Sequence, residues 1–203
     1  MISATQAGIE AIFREESGRI LAGLMMTAGS MDRAEDALQE ALAQALAVWP
    51  KQGAPANPAA WLTTVARRKL IDQIRRRRTR QEKLDQLRYQ IELNASLPAP
   101  DEIGGTAAED TTFPDERLRL IFTCCHPALD REAQVALTLR TLGGLTTWEI
   151  AKAFLVPEAT LAQRIVRAKR RLAEQHIPYE IPQAEQLEER VAAVRAVIYL
   201  VFN

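Results

Sequence analysis

Residues 143–172 read GGLTTWEIAKAFLVPEATLAQRIVRAKRRL, and this stretch decides the fold. Thr146 is placed to cap a helix, and Glu149 three residues later completes a capping box. Ile150, Ala151 and Phe154 give that helix one apolar face, and Val156 fills the turn after it. Pro157 suits the first position of the next helix, where its missing N–H would be unpaired anyway. Leu161, Ile165, Ala168 and Leu172 then recur at spacings of four, three and four, which makes one buried stripe. Gln163, Arg164, Arg167, Lys169, Arg170 and Arg171 lie largely off that stripe. The pattern predicts a helix-turn-helix whose second helix is basic and amide-bearing, as major-groove docking requires. The blander alternative is a helical hairpin with a solvated basic face, and the capping box, turn and charge placement together weigh against it.

The chain has 203 residues, a formal net charge of zero and 47% hydrophobic residues, which predicts a soluble globular protein of more than one unit. Zero net charge argues against indiscriminate coating of nucleic acid, but the charges are segregated. Arg67 to Arg80 is densely basic with Asp72 its only acid, while Glu102, Glu109, Asp110, Asp115 and Glu116 make the middle acidic. The two cysteines, Cys124 and Cys125, are adjacent, so no disulfide framework is expected. The start lacks a basic segment before its first apolar run, and Ile20 to Ala28 is too short to span a bilayer. These features predict a cytoplasmic protein with no membrane partner.

Strand signals are almost absent, so the expected class is all-α. Ile9, Ile12, Phe13, Ile20, Leu21 and Leu24 mark a first helix ending near Gly29. Asp32 is expected to cap a second, with Leu38, Ala41, Leu42, Ala45, Leu46 and Trp49 as its stripe up to Pro50. The breaker-rich segment 51–57 reads as a loop, and Asn57-Pro58 as the start of a third helix that buries Trp61, Leu62, Val65, Ala66, Leu70 and Ile74. Its far end is four consecutive arginines, Arg75 to Arg78. Residues 94–112 are proline, glycine, small and acidic, which predicts a flexible linker. A second helical unit follows. One helix carries Leu118, Leu120, Ile121 and Phe122, and another runs from a cap at Asp130 to Leu142, where Gly143-Gly144 end it ahead of the helix-turn-helix. Past Pro178, Val191, Val194, Ile198 and Val201 are in step along a last amphipathic segment.

Cations on the helix-turn-helix could meet phosphates; five or six such contacts would give a logarithmic salt slope of about −4.5 to −5.5. Base reading falls better to Gln163 and Arg167, since bidentate side chains discriminate by about 1–3 kcal/mol per base pair. The third helix, with an aromatic, a flexible loop and a run of arginines, suits gripping a strand whose bases have left the stack.

DRAEDALQEALAQAL (32–46), NPAAWLTTVARRKLIDQIRRRR (57–78) and the helix-turn-helix, in that order across an acidic segment, resemble a bacterial sigma factor of the extracytoplasmic-function type. The resemblance implies sigma domain 2 over 1–95, which melts and reads the −10 element and binds core RNA polymerase. It implies a flexible acidic linker over 96–112, and sigma domain 4, which reads the −35 element, over 113–177. Asp36, Gln39 and Glu40 match the polymerase-binding stretch. Gln52 to Asn57 match the loop that captures a flipped −10 base, with Trp61, Arg67, Arg68, Asp72, Arg75 and Arg76 on the helix beside it. In domain 4, Thr147, Thr160, Ala162, Gln163, Arg164, Val166, Arg167, Lys169 and Arg170 are the implied −35 contacts, Ala162 and Val166 being smaller than the residues some members use.

RLRLIFTCCHPALDREAQVAL (117–137) departs from the usual lead-in to domain 4. It resembles a sigma subgroup with a C-terminal helical-repeat extension, and 178–203 would be the beginning of that extension. The implied partners are core polymerase, promoter DNA and the chain's own further C-terminal domain, with control by that domain. Cys124, Cys125 and His126 sit consecutively, and consecutive ligands splay around a helix, so buried small hydrophobes are expected rather than a metal site. No nucleophile–base pair, phosphate loop or paired-carboxylate motif stands out; no cofactor and no catalysis are expected. Two further readings are a self-sufficient dimeric helix-turn-helix regulator, which needs half-sites about one turn apart, and an enzyme acting on nucleic acid, for which no catalytic group is offered.

Overall fold

The computed structural model describes residues 4–92 and 114–202, which form eight α-helices and no strand among the described residues. The all-α expectation holds. The expected acidic linker, 96–112, lies outside the described residues. The first unit is α1 (Ala4–Ala28), α2 (Met31–Gln52) and α3 (Pro58–Glu92). The second is α4 (Pro114–Cys124), α5 (Arg131–Thr141), α6 (Thr147–Ala153) and α7 (Glu158–Glu174), followed by α8 (Ala184–Phe202).

In the first unit the alanines decide how closely helices approach. Ala34, Ala37, Ala41 and Ala45 are all fully buried along α2, with Leu38 and Trp49 on the same face. Leu46, expected in this stripe, is exposed, because it stands a full 100° around the helix from Ala45. The start of α2 is also shifted. Ser30 occupies the N-cap and Asp32 lies in the first turn, where its charge complements the helix N-terminus. Pro50 does not end the helix; α2 continues to Gln52, and the Gly53 N–H, with φ at 83°, closes onto the Trp49 carbonyl at 2.9 Å. A proline this close to the end forfeits little of the ladder. Asn57 caps α3 as expected, its side-chain oxygen accepting from the Ala60 N–H at 3.0 Å. Leu62, Val65, Ala66 and Leu70 then point inward.

In the second unit Asp130 caps α5 by accepting from the Ala133 N–H at 2.8 Å. Leu120 and Phe122 of α4 are buried, whereas Leu118 faces solvent. Cys124 and Cys125 are fully buried, their sulfurs 3.2 Å and 3.7 Å from the hydroxyls of Thr141 and Thr138. They act as small core residues, as the sequence suggested. The last segment docks on α4 and α5: Val194 and Val197 are buried against Phe122, Cys125 and Val135. Its buried face overlaps the expected one in part: Val194 is buried and Val201 packs against the same cluster. Val191 and Ile198 are partly exposed, and Arg190 instead faces inward to donate to the Phe122 carbonyl at 2.7 Å.

The two units are packed against each other. One continuous core includes Ile20, Leu21 and Leu24 of α1, Leu38 of α2 and Leu62 of α3 together with Leu120, Leu137, Ile150 and Leu161 of the second unit.

Candidate nucleic-acid interface

The helix-turn-helix is built as its sequence requires. The Thr146 hydroxyl accepts from the Glu149 N–H at 3.2 Å, and the Glu149 carboxylate accepts from the Thr146 N–H at 2.8 Å. The Thr146 hydroxyl also donates to that carboxylate at 2.9 Å; the bonds on the carboxylate hold it below the usual range, the backbone N–H of Thr146 contributing most, then its hydroxyl, then Arg14. The turn places Leu155 at φ 53° with the Val156 N–H on the Ala151 carbonyl at 3.0 Å. Pro157 takes the N-cap, one position before the expected one, and α7 begins at Glu158. Leu161, Ile165, Ala168 and Leu172 are the buried residues of α7, the stripe read from the sequence.

The residues expected to face −35 bases and phosphates divide into two groups. Thr160, Gln163, Val166, Arg167 and Arg170 are exposed, with Val166 at 63% and Arg170 ion-paired one turn on to Glu174. Thr147 and Ala162 are half-buried. Thr160, Gln163, Arg164, Arg167 and Arg171 line one groove between α7 and the start of α5. Arg164 and Lys169, however, are not free cations. Arg164 meets Glu132 at 2.7 Å and lies over the Phe154 ring. Lys169, its side chain only 12% exposed, is ion-paired with Glu35 and lies 3.3 Å from Asp32, both on α2.

On α3 the basic ridge is open. Arg67, Arg68, Asp72, Arg75 and Arg76 are all exposed, and Arg75, Arg76, Arg80 and Lys83 border one shallow groove. Gln52 and Asn57 are exposed at the two ends of the loop before α3. Trp61 is half-buried, its ring edge-on to the buried Trp49 with centroids 5.4 Å apart. Its position thus joins loop to core. A ridge of this kind offers phosphates cations, while the short loop of small residues ending at Asn57 leaves room for an unstacked base.

Asp36, Gln39 and Glu40 are exposed on α2 but look two ways. Glu40 accepts from Gln73 at 2.9 Å and lies 3.9 Å from Lys69, and Asp36 lines the α2–α3 groove with Arg77 and Arg78. Gln39 instead shares a cleft with Glu35, Phe13 and Arg140 of the second unit. Among the described residues no group of three His, Cys, Asp or Glu is placed to hold a metal, and no helix is long and apolar enough to cross a membrane.

Sequence reasoning missed the contacts between the units: Arg14 with Glu149 at 2.8 Å, Lys169 with Asp32 and Glu35, and the Tyr179 hydroxyl against the carbonyls of Ala22 and Glu116 at 3.1 and 2.8 Å. The one available signal was the set of glycines inside α1, which helix geometry does not require.

Residues 12–80 match the family Sigma-70 region 2, and residues 119–172 match Sigma-70, region 4. An uncharacterized protein of Rhizobium meliloti (strain 1021) is 44% identical over 174 residues, covering 86% of this chain. The chain spans only 40% of that protein's length. No solved structure matches.

Proposed function

The chain belongs to the sigma-70 family, as a sigma factor of the extracytoplasmic-function type, and from that membership we propose that it directs bacterial RNA polymerase to specific promoters as a dissociable subunit. Its role is binding and strand opening in the cytoplasm, the phosphoryl-transfer chemistry belonging to the polymerase. The observation that carries this is the pairing of two different nucleic-acid surfaces in one chain. One is the open arginine ridge of α3 beside a short loop of small residues, and the other a capped helix-turn-helix with Gln163, Val166 and Arg167 exposed. A self-sufficient dimeric regulator needs only the second of these.

In this reading domain 2 spans 1–95, the acidic linker 96–112, domain 4 113–177, and 178–203 begin an extension that regulates the protein through a further C-terminal domain. Asp36, Gln39 and Glu40 meet core polymerase. Gln52, Asn57, Trp61, Arg67, Arg68, Asp72, Arg75 and Arg76 engage the −10 strand. Thr147 and the exposed residues of α7 engage the −35 duplex. Gln163 and Arg167 carry the base discrimination, and Arg170 positions the helix on phosphates.

Run-off transcription with bacterial core polymerase on genomic fragments tests the proposal. Discrete new start sites that disappear in Arg75→Ala/Arg76→Ala are expected. Absence of any stable complex with core polymerase, with the protein folded, would overturn it.

A further inference from the structure

The contact between the two units is built for close approach of backbones. A Cβ on Gly18 of α1 would stand 3.0 Å from the Leu142 Cα and carbonyl oxygen and 3.2 Å from the Thr141 oxygen. A Cβ on Gly144 would stand 2.7 Å from the Arg14 oxygen. Real Cβ atoms do not come as near backbone as one at Gly144 would, and one at Gly18 would be tighter than nine in ten real Cβ contacts, so the two glycines let α1 lie this close to the α5–α6 corner. Glycine inside a helix costs about 1 kcal/mol relative to alanine. Gly18 therefore weakens α1 and returns something only when the second unit is docked.

Around this seam the charges are complementary. Arg14 reaches Glu149 on the helix-turn-helix. Lys169 of α7 sits against Asp32 and Glu35 of α2, with the lysine and Glu35 side chains only 12% and 16% exposed. Asp32, Asp36 and Glu40 follow one another at spacings of four on α2, with Glu35 and Gln39 beside them, so Lys169 occupies the first turn of an acidic stripe. Arg140 stands in the cleft beside Gln39, further along the same helix. Burial raises the Glu116 carboxyl, against the pull of Arg119 on the same helix and of Arg67 across the seam, so a cation of the −10 ridge also acts on an acid of the second unit. The Tyr179 hydroxyl straps the segment leading to α8 onto α1 and α4.

We propose that this docking is a self-masking state: the second unit occupies the end of the α2 acidic stripe and competes there with the basic surface of core polymerase. The same ion pair withdraws Lys169 from the −35 face and sets it one turn from Asp36, Gln39 and Glu40, so one contact ties the −35 surface to the helix that meets core. Opening frees both together, and the strap at Tyr179 gives α8 and anything attached to it a lever on the equilibrium. The identity of the competitor rests on the sigma-factor reading; the docked state itself does not.

The test uses the full chain and two readouts, the radius of gyration from small-angle X-ray scattering and the affinity for core polymerase. Gly18→Leu forces the α5–α6 corner away from α1 but improves helix propensity, and it lies outside the residues assigned to polymerase or DNA. It should expand the molecule. If the closed form outnumbers the open one by about ten to one, it should also bind core about tenfold more tightly. Lys169→Glu should expand the molecule too, and Glu35→Lys/Lys169→Glu should restore the wild-type radius by exchanging the charges. Wild-type radii for both single variants, with circular dichroism showing them folded, would overturn the docked state. An expanded Gly18→Leu that binds core no better than wild type would overturn the masking. Expansion with no core binding by any variant would refute the sigma-factor reading and the competition together, leaving the docked state standing.

Discussion

Leu155 stands in the left-handed region at φ 53° with its side chain 92% exposed, so strain there is not offset by burial. An L-residue with a Cβ loses roughly 1–2 kcal/mol in that region, whereas asparagine visits it readily. Leu155→Asn is therefore expected to stabilise the protein by about 0.5–1 kcal/mol, read as a higher urea midpoint at unchanged slope. A lower midpoint would show that the leucine side chain makes a stabilising contact. The cysteines give a second expectation at this scale. Burial pushes the Cys124 thiol up to about 12 and raises that of Cys125, so neither is a thiolate near neutrality. Both should resist a soluble disulfide reagent at pH 8 and react promptly once the chain is unfolded in guanidinium; fast native labelling would contradict their place in the core. Their burial was legible, since adjacent cysteines with no further ligands suit a packed interior. The fate of Lys169 was not, because a lysine on a basic helix serves phosphate or carboxylate equally well until the fold brings Glu35 to it.

The local chemistry of helix starts was also readable: Asn57, Asp130 and Thr146 each accept the backbone hydrogen bond expected of a cap. Replacing Thr146 with alanine removes the capping box and should cost about 1 kcal/mol. It should also alter the pH dependence. Glu149 titrates below its ordinary value in the folded protein, so it adds stability above its unfolded pKa near 4.5, and that stability is lost as pH falls through the depressed folded value. Alanine keeps the Thr146 backbone N–H, the largest cause, so Thr146→Ala should flatten this acid limb of the stability profile only in part, in urea melts between about pH 3 and 6. An unchanged limb would assign the shift to that N–H and Arg14 rather than to the hydroxyl. The faces of the helices were harder to read. On α8, Val191, Val194, Ile198 and Val201 are as regular a stripe as the inward-facing Arg190, Val194, Val197 and Val201, and periodicity cannot choose between them without knowing the partner surface. Pro50 likewise reads as a stop, yet so near the end of α2 it removes too little to be one.

The arrangement of the whole molecule was beyond sequence reasoning. Two motifs separated by an acidic stretch suggest two independent units, whereas the hydrophobic core runs through both. Such sharing has a thermodynamic signature. About 90 residues are described on each side of the linker, and at about 0.7 kcal/mol per residue near 60 °C the two together should absorb about 125 kcal/mol on unfolding. If the seam couples them, calorimetry should show one transition whose van't Hoff enthalpy approaches that calorimetric value. If they melt independently, the van't Hoff enthalpy should fall to about half of it. Gly18→Leu should convert the first behaviour into the second, because it abolishes the backbone contact while leaving each unit's own helices intact. Independent melting of the wild type would mean that Ile20 and Leu24 bury their surface without linking the fates of the two units. Coupled melting that Gly18→Leu splits would mean that the glycines set the cooperativity of the chain. Any partner that parts the two units, polymerase included, would then have to supply that coupling free energy itself.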